Sequence, residues 1–165
     1  MKKIIICILI SLTLSYNPSK AVSYAKKHCR AYNRNFYSYK GKGGDCANFV
    51  SQCLMEGGEN LKSCKGIISY YDGKSIIRVK DLKLCLSHLG WKSSTKFPVG
   101  FKAGYPMIHT DNSHAIIAVS VNGKNVRFAA HTTDYFIFLG LGIDSILIIK
   151  TSQIIIKKIQ PIINQ

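Results

Sequence analysis

Acidic residues are scarce in this 165-residue chain, with 8 Asp and Glu against 23 Lys and Arg and a formal net charge of +15. Such a balance favours anionic partners: acidic glycans, bacterial walls, membrane surfaces or nucleic acid. The basic residues are scattered, however, as in Lys26-Lys27, Lys40-Gly-Lys42 and Lys157-Lys158. With no zinc-finger spacing, RNA-binding aromatic signature or long basic block, no specific nucleic-acid partner is expected. Cys-x-x-Cys is absent too, so the spacing implies no metal. Ser and Asp fall in no nucleophile-elbow pattern, which argues against a serine hydrolase. There are no internal repeats and no long linker.

One apolar run has a clear meaning. Lys2 and Lys3 precede the nearly unbroken apolar stretch 4–14, and Thr13 and Ser15 offer a small-residue cleavage site before Tyr16. That layout reads as a secretory signal peptide over residues 1–15, too short to span a bilayer as an anchor. The apolar stretch 135–149 is also short and contains Asp144, so no transmembrane segment is expected. The chain should be secreted, or delivered to the lumen of the secretory or endolysosomal pathway. Losing Lys2 and Lys3 takes the charge from +15 to +13. About 150 residues remain, enough for one domain with one core. The expected division is 1–15 leader, 16–150 catalytic domain, and 151–165 an Ile- and Lys-rich C-terminal segment of uncertain structure.

Cysteine usage agrees with secretion. Cys7 leaves with the leader, and Cys29, Cys46, Cys53, Cys64 and Cys85 remain. An odd number in an oxidising compartment leaves one thiol over. Four cysteines allow three pairings; the pairs expected are Cys53 with Cys64 and Cys29 with Cys85.

Residues 18–32 carry apolar positions at three- and four-residue steps, with Asn17 as cap and Pro18 in the first turn, so a helix is expected there. A loop rich in aromatics and glycine follows. A second helix should start at Asp45 or Cys46, carry the apolar stripe Phe49, Val50, Cys53, Leu54, and stop at Gly57-Gly58. A third should run from Asp81 as cap through Leu89. From Tyr105 the pattern changes to strands, notably 115–121 and 126–131 about an Asn122-Gly123 turn, then 135–139 and 146–149. Helices first and an antiparallel sheet after them define an α+β class.

Chemistry concentrates where the glycine loop meets the second helix. A free thiol is mostly protonated at neutral pH, and only the thiolate attacks well. At a helix N-terminus the partial positive charge and unpaired N–H groups lower its pKa. The same N–H groups can stabilise an oxyanion, so Gly44 and Asp45 are candidate substrate or oxyanion residues. A buried or bridged cysteine capped by Asp45 is the ordinary alternative for Cys46. A base is also needed, and that base needs an orienter. Symmetric pairing about the Asn122-Gly123 turn sets Val121 opposite Lys124 and His114 opposite His131, making the two imidazoles cross-strand neighbours. His109 is a rival base and Asp134 a rival orienter; His28 and His88 read as structural or exposed.

These residues also carry a resemblance. Tyr16-Asn17-Pro18 with 21–25, the string Gly44-Asp45-Cys46-Ala47-Asn48-Phe49-Val50-Ser51-Gln52-Cys53-Leu54, Gly57-Gly58, Gly90-Trp91-Lys92, 100–106, Ser113-His114-Ala115 and 131–134 resemble the putative amidase domain family. That family is related to the CHAP and NlpC-type hydrolases of the papain-like clan. The resemblance implies Cys46 as nucleophile, His114 as base and general acid, and His131 as orienter. It implies a half-barrel sheet packed on the nucleophile's helix, no metal or cofactor, and action on amide or peptide bonds, often in peptidoglycan. Many relatives carry Gly-Asp before the strand leading to the active histidine, where this chain reads Ala103-Gly104-Tyr105-Pro106. The expected function is a secreted cysteine amidase or peptidase acting on bacterial cell-wall peptides. The alternative is a non-catalytic basic protein that binds anionic glycan or membrane on an inherited fold.

Overall fold

A computed structural model describes residues 16–43, 45–69, 71–96, 99–123, 125–131, 137–139 and 145–150. The leader 1–15, Gly44, Asp134 and the segment 151–165 lie outside the described residues. Among them the class is α+β. Three helices, α1 (Pro18–His28), α2 (Asp45–Glu56) and α3 (Val79–His88), precede all the strands. Strands β1 (Trp91–Ser94), β2 (Pro106–His109), β3 (Ala115–Asn122), β4 (Asn125–Ala129), β5 (Ile137–Leu139) and β6 (Ser145–Lys150) form one antiparallel sheet in the order β1-β6-β2-β3-β4-β5.

Local chemistry explains the helix starts. Asn17 accepts from the N–H groups of Ser19 and Lys20, and Pro18 sits where no N–H is needed. Gly58 takes a φ of +93° after α2, and its N–H bonds the Met55 carbonyl to close the helix. The third helix begins at Val79 rather than at an Asp81 cap. Asp81 lies in its first turn, buried, and accepts from the N–H of Ser69.

Helix α2 is the centre of the molecule. All ten residues from Asp45 to Leu54 are buried, because α2 packs against α1, α3 and β3 together. Phe49, Val50, Cys53 and Leu54 fill the core, each contributing about 1.5–3 kcal/mol for a large aliphatic or aromatic side chain. A second cluster closes the start of the domain. Tyr16, Trp91 and Tyr105 meet edge-on or tilted at 5.1–6.3 Å, and Trp91 donates to the buried Glu59 carboxylate at 3.0 Å.

The hairpin register differs from symmetric pairing about Asn122-Gly123. Asn122 pairs with Asn125 and Val121 with Val126, so the turn lies one residue further along the chain than symmetric pairing about Asn122-Gly123 expects. Gly123 has a φ of +56° and takes the first central position, where glycine suits a two-residue hairpin loop. A bulge between Ala118 and Ser120 shifts the ladder again, giving Ile117 opposite Ala129. Continued by two residues, that register sets His131 level with Ala115, not with His114. A one-residue slip sends a side chain to the other face, so the two imidazoles are not cross-strand neighbours.

The disulfide pairing is also corrected. Cys64 bonds Cys85, joining the short 3-10 turn Leu61–Cys64 to α3. Cys53 is a free buried thiol on the inner face of α2, and Cys29 one at the end of α1. Neither expected pair forms, because α2 turns Cys53 into the core while the 3-10 turn carries Cys64 to α3.

Candidate active site

Cys46 stands in the first turn of α2 and is 5 % exposed. Burial pushes its thiol pKa above the ordinary 9.0. The nearby backbone N–H groups of Ala115, Ala47 and Cys46 itself pull the value back, and the neighbouring Asp45 charge pushes it up further. The helix N-terminus thus acts in the expected direction, but desolvation outweighs it and the resting sulfur is a thiol.

The Ala115 contact brings the sheet to the sulfur. Ala115 opens β3, and the residue before it is His114. His114 is half-buried, and its Nε2 is buried with no hydrogen-bond partner. Burial, and then the nearby charge of His109, lower its pKa from the ordinary 6.5. The His109 ring meets it edge-on at 5.6 Å, and the His109 N–H donates to the His114 carbonyl at 3.0 Å. Cys46 and His114 are not hydrogen-bonded to one another. What the site holds is a buried thiol near the backbone of Ala115 and, next to Ala115 in sequence, a His114 whose Nε2 has no hydrogen-bond partner among the described residues. Such contacts often tighten only once substrate is bound.

His131 is elsewhere engaged. It is 1 % exposed, stacked between Tyr32 and Phe49 with ring centroids 4.0 and 4.1 Å away. Its Nδ1 lies 2.7 Å from Asp45 Oδ2 and its Nε2 2.9 Å from the His28 carbonyl. Neither nitrogen is left to orient His114. The reason is the register above, which turns His131 toward α1 and α2.

Asp45 is enclosed as well. Its carboxylate also accepts from the Tyr39 N–H at 2.8 Å and Asn48 Nδ2 at 3.0 Å. Burial alone would raise its pKa, but the hydrogen bonds from His131, Tyr39 and Asn48 hold it below the ordinary 3.8. A carboxylate can only accept, so it cannot stabilise an oxyanion; the N–H groups of the first turn can.

A polar network beside the cysteine went unread in the sequence. Asn48 donates to the Tyr37 carbonyl and accepts from Gln52 Nε2 and Ser75 Oγ. Gln52 accepts from Tyr24, which accepts from Asn33. Ser51 donates to the Ile76 carbonyl. Asp45, Asn48 and Gln52 recur at three and four residues, one face of a helix. That polar stripe, opposite an equally clear apolar one, was the available signal. It ties the loops 33–39 and 72–76 to the helix that carries Cys46. Among the described residues no His, Cys, Asp and Glu cluster could hold a metal ion.

Fold and site together define an α+β domain with a cysteine at a buried helix N-terminus and a half-buried histidine at the start of the central strand β3. The family model of the putative amidase domain matches residues 15–97, and the chain belongs to that family. The match covers Cys46 and its whole helix and ends before His114 and His131. No curated protein and no solved structure matches the chain.

Proposed function

We propose that the chain is a cysteine-dependent amidase or peptidase of papain-like type, secreted after loss of residues 1–15, which cleaves amide bonds in bacterial cell-wall peptides. The observation that carries it is the burial of Cys46 in the first turn of α2 with the backbone of Ala115 beside it, Ala115 being preceded by a His114 whose Nε2 has no hydrogen-bond partner among the described residues. Neutral His114 takes the thiol proton as sulfur attacks the amide carbonyl. The N–H groups around the sulfur hold the oxyanion. The imidazolium then gives its proton to the departing amine as the C–N bond breaks, leaving a thioester. His114 next takes a proton from water, which displaces the thiol and releases a carboxylate. Amide hydrolysis follows from family membership; the wall substrate rests on the leader and on a basic surface suited to an anionic wall. The expected domain is 16–150, with 151–165 appended.

The test is release of amine or new carboxylate from peptidoglycan fragments and model peptides by purified, oxidised protein. Hydrolysis abolished by Cys46→Ala and by His114→Ala supports the proposal. No hydrolysis of either substrate class by the wild type overturns it. A second reading is favoured by the buried, protonated resting thiol: a non-catalytic basic protein that binds anionic glycan or membrane. Selective alkylation of Cys46 at mildly acidic pH speaks for the enzyme, and an inert thiol with salt-sensitive wall binding for the binder.

A further inference from the structure

The Asp45–His131 pair has no part in the proposed chemistry, yet it is buried on both sides and adjoins the nucleophile in sequence. The His131 ring faces two groups that can only accept, the Asp45 carboxylate and the His28 carbonyl. With both bonds made, both ring nitrogens carry hydrogens, and the ring balances the Asp45 charge. Among the described residues nothing else of positive charge is bonded to that carboxylate. Its remaining partners are the Tyr39 N–H and the Asn48 amide, both neutral. On the other sides of His131 stand the Phe49 ring from α2 and the Tyr32 ring, with the Lys40 ammonium 5.9 Å from the Tyr32 centroid. Cys46 itself senses the Asp45 charge on its own helix and the backbone of Ala115 from β3, while His114 meets His109 edge-on beside that strand.

We propose that His131 is a positioning residue of the nucleophile and not of the base: it cancels the Asp45 charge at the head of α2, so that the helix N-terminus can favour a negative sulfur. The inference rests on Cys46 as the nucleophile. Asp45 holds the first turn in place through Tyr39 and Asn48, but its charge opposes the thiolate one residue away. Uncompensated, a carboxylate charge on the neighbouring residue displaces the thiol titration to alkaline pH by on the order of one pH unit. His131 removes most of that opposition while keeping the carboxylate as a structural acceptor.

The test reads the thiol directly, by the pH–rate profile of iodoacetamide alkylation at Cys46, located by peptide mapping. His131→Gln keeps a donor for Asp45 but carries no charge. Its profile is expected to move to alkaline pH by roughly one unit, with about tenfold slower alkylation at neutral pH. Asp45→Asn/His131→Gln is expected to reverse the shift, which a purely structural role for His131 would not do. A folded His131→Gln with the wild-type profile overturns the proposal, as does a double variant that keeps the shift. Should His131→Gln not fold, Asp45→Asn alone decides: it is expected to show no alkaline shift, and such a shift overturns the proposal. Wild-type amide hydrolysis, measured alongside, reports separately on whether Cys46 is a catalytic nucleophile.

Discussion

Gly104 and Gly58 make a matched pair for testing how the domain is closed around α1. Both have left-handed backbone, with φ of +89° and +93°. An added Cβ at Gly58 meets nothing within 4 Å, whereas at Gly104 it would stand 2.6 Å from Cβ and O of Pro18 and 2.7 Å from its Cα. Gly58→Ala therefore carries only the left-handed penalty, about 1–2 kcal/mol. Gly104→Ala adds an overpacking cost of about 1–3 kcal/mol, for a total of about 2–5 kcal/mol. Pro18 cannot easily yield, since Tyr16 donates to the Gly104 carbonyl and the Asn17 N–H to that of Gly57. Guanidinium unfolding of both variants, with unchanged m, gives the comparison. Equal losses at the two positions, or a smaller loss at Gly104, would refute the close approach of Pro18 to Gly104. The contact matters to the site because the Gly104 N–H bonds the Ala118 carbonyl on β3, the strand whose first N–H meets Cys46.

Reduction of Cys64–Cys85, or Cys64→Ala/Cys85→Ala, should cost about 3 kcal/mol for a separation of 21 residues; unfolding curves with and without reductant check it, and coincident curves would contradict the pairing. Asn48→Ala strands acceptors and donors on Asp45, Gln52, Ser75 and the Tyr37 carbonyl and should cost about 2–4 kcal/mol, read as a lowered denaturation midpoint. Stability should peak between pH 6.5 and 9.0, the ordinary values of the two groups whose shifts bound it. His114 is depressed in the fold, so below pH 6.5 the unfolded chain binds the proton first and stability falls with pH; His114→Gln should flatten that limb. Cys46 and the fully buried Cys53 are both raised, so above pH 9.0 the unfolded chain loses their protons first and stability falls again, a limb that Cys46→Ala should lessen. Asp45 adds a further acid loss as pH falls from 3.8 through its lower folded value, and Asp45→Asn should lessen it.

The local pattern of the chain was sufficient for the helix that carries Cys46. Capping residues, glycines and a 3.6-residue period act over a few positions, so Asn17, Gly58 and the Phe49–Leu54 stripe mark their own structure. The same string could have yielded the polar face of Asp45, Asn48 and Gln52, but not its burial, which depends on loops distant in sequence. Strand register was beyond reach. A turn one residue further along than symmetric pairing about Asn122-Gly123, followed by a bulge near Val119, moves His131 from one face to the other. Neither choice is decided within the strand; both depend on what packs against it. The partnership of His131 with Asp45 spans 86 residues, and β6 enters the sheet between β1 and β2, away from its neighbours in sequence. Sequence alone therefore determined that a cysteine heads a helix in a basic α+β chain. Tertiary packing decided that His131 pairs with Asp45 and stands apart from His114, because long-range register and desolvation are set by the assembled core.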